Sequence, residues 1–532
     1  MNNLRRSIPL LVGLGLVACG GGEQTQDQSL TSGHENPLLA TWHTEFGVPP
    51  FDIIEDGHYL PAFEAAMAEH KGEIDAIASN TDAPTFENTI EALERSGSLY
   101  TRVSRVFGAV NGAHTNETLQ EVARTMAPVR AAHGDDIFLN PVLYERVQAV
   151  YDKRDGLDLT PEQRTLLEET RKGFVRSGAA LDEASQARLR EINGALAAAS
   201  QSFGQNTLAE TNAFELHVTD PADLGNLAPS LVSLAEEEAG RRGYDSGWSF
   251  SLQRPSINPF LESSPNRELR SVIFDGYAMR GDNDNEHDNK AILARMAALR
   301  AERAQLMGYP THAHFVLSDN MAETPERVMD LLDQVWEPAL RVAKRERADM
   351  QAVMNDEGVE GALQGSDWRH YTEKVRKARF DLDQDQVLPY FEVNSVRDGV
   401  FMIVNHLYGL TFRELSDLPR WHPDQQAFEV LEADGSHLGV VYLDFFARPS
   451  KRGGAWMNSL QKQGRVEGEV YPIVTTNFNF PAPDADGVSL IGFDNALTLA
   501  HEFGHALHGL LSDVTYESLG GTAVPRDFVE FG

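Results

Sequence analysis

The feature that most limits how this 532-residue chain can fold lies near its end, in His501-Glu502-Phe503-Gly504-His505. Two histidines four positions apart face the same way only if the backbone between them is helical, because i and i+4 lie one turn apart on one face. Leu497, Leu499, Ala506, Leu507, Leu510 and Leu511 frame the pair. The pattern predicts a buried helix from about Asn495 to Leu511. Two imidazoles so placed can hold one zinc ion at about 2.1 Å each. Glu502 directly follows the first histidine, so its carboxylate is within reach of a water that the ion acidifies. In such an arrangement the glutamate takes the water's proton and passes it to a leaving amine. His508 lies seven residues after His501 on nearly the same face, but the helical rise sets the two roughly 10 Å apart along the axis. It is expected in packing or in support of the ligands, not on the same ion. A third protein ligand is required, with a fourth position left open.

The rest of the chain must build a frame for that helix. Residues 36–387 read as mainly helical. Leu189, Ile192, Leu196, Ala199 and Phe203 recur at helical spacing, as do Val328, Leu331, Leu332, Val335 and Trp336 after a Thr324-Pro325 start signal. Both stripes are expected in the core. Phe214 to Val218 and Trp248 to Leu252 are possible strands. The character changes in residues 388–532. Phe428 to Leu431 and Leu438 to Leu443 are strand-like and flank Asp434-Gly435, which suits the positive φ angles of a tight hairpin. Gly468 to Phe480 also reads as extended. A small sheet is therefore expected just before the histidine helix. Asp282-Asn283-Asp284-Asn285-Glu286-His287-Asp288 is acidic enough to suggest calcium, but it lacks the glycine and terminal glutamate of an EF-hand loop. It reads as a solvated loop leading into a helix from Lys290. His312 and His314, two residues apart, cannot share a helical face and are expected to be structural.

The formal net charge is −34 and the pI about 4.8, which argues against a nucleic-acid partner and favours cationic ligands or metal ions in clefts. At the start, Arg5 and Arg6 precede a short apolar run, Ile8 to Val17, that ends in Leu16-Val17-Ala18-Cys19. The run is too short for a membrane span. Its end resembles a bacterial lipobox. That resemblance implies a signal peptide over residues 1–18, cleavage before Cys19, lipidation of the Cys19 sulfur, and a Gly-, Gln-, Ser- and Thr-rich tether over residues 19–35. Cys19 is the only cysteine, so no intrachain disulfide exists. Gly20 after it resembles the outer-membrane sorting pattern, so a periplasm-facing protein held to the membrane through its lipid is expected.

His501 to Val529 reads HEFGHALHGLLSDVTYESLGGTAVPRDFV and is followed by Glu530. This closely resembles the thimet oligopeptidase family of zinc metallopeptidases. Phe46-Gly47-Val48-Pro49-Pro50-Phe51-Asp52 and Pro84-Thr85-Phe86-Glu87-Asn88-Thr89-Ile90 resemble signatures of its peptidyl-dipeptidase branch. Asp288-Asn289-Lys290 through Met307-Gly308-Tyr309, Trp368 to Tyr371, and Arg448 through Met457 also fit. The resemblance implies a mainly α, zincin-type fold with a small β-sheet beside the active site, two-lobed around a deep channel. It implies one zinc ion per chain, with Glu530 of Asp-Phe-Val-Glu as the third ligand to His501 and His505, and Glu502 as base. Asp527, three residues before Glu530, is offered as a partner that orients a ligand. The implied activity is hydrolysis of short peptides by a monomer, releasing C-terminal dipeptides. An endo-acting oligopeptidase is the alternative. Gly453 and Gly454 would permit close backbone approach near the site. Two departures stand out. Gly520 replaces the serine or similar small residue usual in the family before Gly521-Thr522, and the chain stops at Gly532, where the family continues with Pro-Ser-Gln and a helical segment. The second departure raises the expectation of a truncated frame and, with it, of a non-catalytic zinc- or peptide-binding remnant.

Overall fold

The computed structural model describes residues 36–382 and 384–531. The leader over residues 1–18, Cys19 and the tether over residues 19–35 lie outside the described residues. No helix among the described residues is long and apolar enough to cross a membrane.

The main helices are α1 (Tyr59–Ala78), α2 (Ser98–Ala113), α3 (Glu117–Phe138), α4 (Pro141–Tyr151), α5 (Pro161–Arg176) and α6 (Glu183–Ala213). There follow α7 (Pro229–Arg241), α8 (Arg254–Ser263), α9 (Arg267–Ala278), α10 (Lys290–Leu306), α11 (Pro325–Asp356), α12 (Trp368–Phe380), α13 (Val393–Tyr408) and α14 (Phe493–Leu510). Their starts are chemically marked. Asn116, Asn140, Thr160, Asp182 and Thr324 each accept a backbone N–H of the first turn, and prolines follow directly at 141, 161 and 325. Each such cap contributes about 1 kcal/mol. The first apolar stripe behaves as expected: Ile192 and Leu196 are buried against Met296 and Leu299 of α10, and Leu189 is buried as well. The second does not. Leu331, Leu332, Val335 and Trp336 are all more than half exposed, and α11 buries only Met350 and Met354 near its far end, against Leu363 and Tyr371. Helical periodicity marks an apolar face; it does not say what covers that face.

Two strands, β1 (Leu216–Val218) and β2 (Trp248–Phe250), form a small antiparallel pair. The main sheet contains β3 (Thr411–Glu414), β4 (Gln426–Leu431), β5 (His437–Phe446), β6 (Trp456–Gln461) and β7 (Ile473–Phe480), in the order β3-β4-β5-β7-β6. The β5–β7 pairing is parallel, and the other pairings are antiparallel. The β4–β5 hairpin forms where expected, though not as a two-residue turn. Only Gly435 takes a positive φ, 85°, while the Asp434 side chain accepts from the Ser436 N–H at 2.9 Å. The loop therefore spans five residues, 432–436, stabilised by an aspartate turn. Gly468 to Pro472 stays outside β7.

The central strand explains how the sheet holds the helices. Successive side chains of a strand point to opposite faces. Val440 and Tyr442 join a core with Tyr59, Phe63 and Phe107 of the first helices. Val441, Leu443 and Phe445 join a second core with Leu499, Phe503, Ala506 and Leu510 of α14. Burial on both faces accounts for the nearly unbroken apolar run of β5. It also carries one core across residue 387, so the helical region and the region after it share their packing.

Candidate active site

Helix α14 is two-faced. Leu499, Phe503, Ala506 and Leu510 are buried on the sheet, and the two leucines and the phenylalanine each contribute about 1.5–3 kcal/mol of apolar burial. Leu497 and Leu511 are exposed, so the helix is covered on one side only. His501 and His505 stand on the open side with their Nε2 atoms 3.2 Å apart.

After Leu510 the chain must turn back sharply to bring Glu530 to the histidines. Two glycines allow the crossing. A Cβ on Gly521, whose φ is 59°, would lie 3.2 Å from the Cα of Gly509. One on Gly509 would meet Met457 Cε at 2.8 Å and Val474 Cγ1 at 3.1 Å. The returning segment is held by carboxylates from distant helices. Glu162 of α5 accepts the N–H groups of Thr515 and Tyr516 at 2.6 and 3.0 Å, and Glu94 accepts that of Ser518 at 3.0 Å. A short helix, α15 (Arg526–Val529), then ends at Glu530.

Glu530 Oε2 lies 3.4 Å from His501 Nε2 and 3.5 Å from His505 Nε2. Among the described residues these three form the one group of side chains close enough to share a metal ion. A tetrahedral ion with bonds of about 2.0–2.1 Å has ligand–ligand edges of about 3.3 Å. The observed edges of 3.2, 3.4 and 3.5 Å match one face of such a tetrahedron, so these three side chains would fit as ligands of one zinc ion. His508 is not part of the group. Asp527 does not orient a histidine. Its carboxylate accepts the backbone N–H groups of Met321 and Ala322 at 3.0 and 2.9 Å, fastening α15 to the segment before α11.

Glu502 is 6% exposed, and its Oε2 has no hydrogen-bond partner. Burial pushes its carboxyl up; the His501 charge opposes the shift and Glu530 adds to it. Burial also lowers His505, with His501 beside it acting in the same direction. A neutral imidazole is the ligating form.

The basic run Arg448 to Arg452 is anchored in the interior. Lys451 is fully buried and donates to Asp444 Oδ1 at 2.6 Å and to the carbonyls of Phe446 and Phe478 at 2.6 and 2.9 Å. Arg448 donates to Asp444 at 2.8 Å and to Ala113 O of α2. Together they fix the turn from β5 into Gly453-Gly454. The acidic loop at 282–288 already holds a cation: the Lys290 ammonium lies 2.5, 2.9 and 2.8 Å from Asp282, Asp284 and Asp288. His314 Nδ1 pairs with Thr311 Oγ1 at 2.8 Å, in keeping with a structural role.

A metal-ligand triangle, a buried glutamate beside it and a five-stranded sheet behind the helix define a metallopeptidase. The comparisons make the class specific. The profile of peptidase family M3 matches residues 260–532. The dipeptidyl carboxypeptidase of Escherichia coli K12 is 38% identical over 497 residues, covering 93% of this chain and 73% of the relative. Oligopeptidase A of Salmonella typhimurium LT2 is 30% identical over 506 residues, with the same coverage of each. The chain belongs to peptidase family M3, and its chemistry is the hydrolysis of peptides.

Proposed function

We propose that the chain removes dipeptides from the free C termini of short peptides, with one zinc ion held by His501, His505 and Glu530 and with Glu502 as the general base. The observation that carries the reading is the 3.2–3.5 Å ligand triangle with an unpartnered, buried Glu502 oxygen beside it. When bound, the ion supplies a Lewis acid that acidifies water and polarises the scissile carbonyl. Glu502 accepts the proton of the attacking water, and its raised affinity for protons suits the task. The same carboxyl then returns the proton to the departing amide nitrogen. Glu502→Gln is expected to retain zinc while hydrolysis falls by about 10²–10⁴. His501→Ala is expected to lose metal and activity together. Wild-type turnover in zinc-loaded Glu502→Gln protein would remove Glu502 from the base's role.

Release of dipeptides, as opposed to internal cleavage, is supported by the greater identity to a dipeptidyl carboxypeptidase than to an oligopeptidase. A free-acid peptide should be cut much faster than its amidated twin. Equal rates would favour the endo-acting reading. We further propose that Cys19 carries a lipid that holds a monomeric, periplasm-facing protein at the outer membrane. Cys19→Ser protein should leave the membrane fraction, and unchanged fractionation would refute the anchor. Light scattering of the detergent-free Cys19→Ser protein should give the mass of one chain.

A further inference from the structure

A cavity of ≈ 850 Å³ lies against the first two turns of α14, bounded on the other sides by α8, α12 and the Gly454-Ala455 turn. Phe493, Asp494, Asn495 and Thr498 form its α14 wall. Thr498 is three residues before His501 and seven before His505, so the wall of the cavity and the metal ligands lie along one helical face. One turn separates them, about 4.5 Å of rise. An extended peptide bound at the ligands would therefore have this space within reach of one of its ends. Two extended residues span about 7 Å.

The charge of the cavity is opposite to that of the chain. Among the described residues five lysines and arginines line it against three carboxylates, in a protein whose formal net charge is −34. Two of these cations have donors to spare. Arg254 forms no ion pair or side-chain hydrogen bond among the described residues, and Arg369 reaches Glu262 by a single contact of 3.4 Å. Lys374, by contrast, is held by both oxygens of Glu357 at 2.6 and 2.7 Å. A peptide's terminal carboxylate is the anion that would arrive here, and arginine's planar fork suits it.

We infer that this cavity receives the two residues released by the enzyme, and that Arg254 and Arg369 bind their terminal carboxylate. The assignment rests on the dipeptide-releasing reading above and names its specificity determinants.

The test is binding of one hexapeptide, as free acid and as amide, to the full, zinc-loaded chain carrying Glu502→Gln so that the peptide survives. Calorimetry on this background should show tighter binding of the free acid. Adding Arg254→Gln or Arg369→Gln should weaken free-acid binding by about tenfold to a hundredfold and collapse the ratio between the two peptides. Arg254→Lys, which keeps the charge, should restore part of that ratio. If the free acid remains preferred in the double glutamine variant, or if acid and amide weaken alike, the cavity is not the carboxylate's receptor. That result leaves the peptidase reading standing. Failure of the unaltered, zinc-loaded protein to cut either peptide would instead refute the peptidase reading, and the cavity's role with it.

Discussion

Replacing Lys451 with methionine tests how the sheet and the turn beside the cavity are held together. The Lys451 and Asp444 side chains are both 0% exposed, and the ammonium has its acceptors within 2.6–3.1 Å. Burial pulls Lys451 down to about 8, partly offset by Asp444, so the group still carries its charge at neutral pH. Removing one partner of a buried, hydrogen-bonded pair costs about 3–5 kcal/mol, because the other charge stays behind without compensation. In Lys451→Met the Asp444 carboxylate keeps Arg448 and the Trp421 N–H, at 2.8 and 3.3 Å, so the lower end of that range, about 3 kcal/mol, is expected. Asp444→Asn strands two cations in the same place and should cost more, about 5 kcal/mol. The two changes should be less than additive when combined, since each removes the same contact. Urea unfolding followed by tryptophan fluorescence and circular dichroism would measure all three variants. Trp421 lies in the network and reports on it directly. A Lys451→Met protein as stable as the parent, or an Asp444→Asn variant milder than Lys451→Met, would refute the reasoning.

His370 is held down to about 4 by burial, with the Arg270 and Lys374 charges acting in the same direction. The unfolded chain therefore binds more protons than the folded one below the ordinary value of 6.5, and stability falls as pH drops from there toward 4. This group's share is ~1 kcal/mol at about pH 5.5, and His370→Asn should flatten the dependence of melting temperature on pH; parallel curves would contradict it. Asp527→Ala should release α15 from Met321 and Ala322 and weaken zinc retention by about tenfold in a chelator competition, with the histidines untouched. An unchanged affinity would show that Glu530 is placed without this clamp. Calcium should leave the melting temperature of the parent unaltered, because Lys290 already fills the acidic loop; a calcium-dependent rise would overturn that assignment.

Much of the site was legible in the linear chain because it depends on local geometry. Helical periodicity alone puts His501 and His505 on one side and Glu502 beside them, and α14 covers Phe493–Leu510 against an expected Asn495 to Leu511. Resemblance to a known motif supplied Glu530, which no spacing rule could place 25 residues after His505. Local patterning also located the strands around Asp434-Gly435 and the cap at Thr324. It could not reach facts that depend on partners distant in sequence. The stripe at 331–336 has the periodicity of a core face yet is exposed, whereas the polar Lys451 sits in the interior. Glu162 grips residues more than 350 positions away, and Asp527 serves a backbone segment 206 positions away instead of a histidine. The cationic cavity unites helices α8 and α12 with the start of α14. Periodicity and capping belong to neighbours within a turn or two and are written in the order of residues. Burial, ion pairing and cavity lining belong to whichever segments the packing of the chain brings together, and only the tertiary structure decides those.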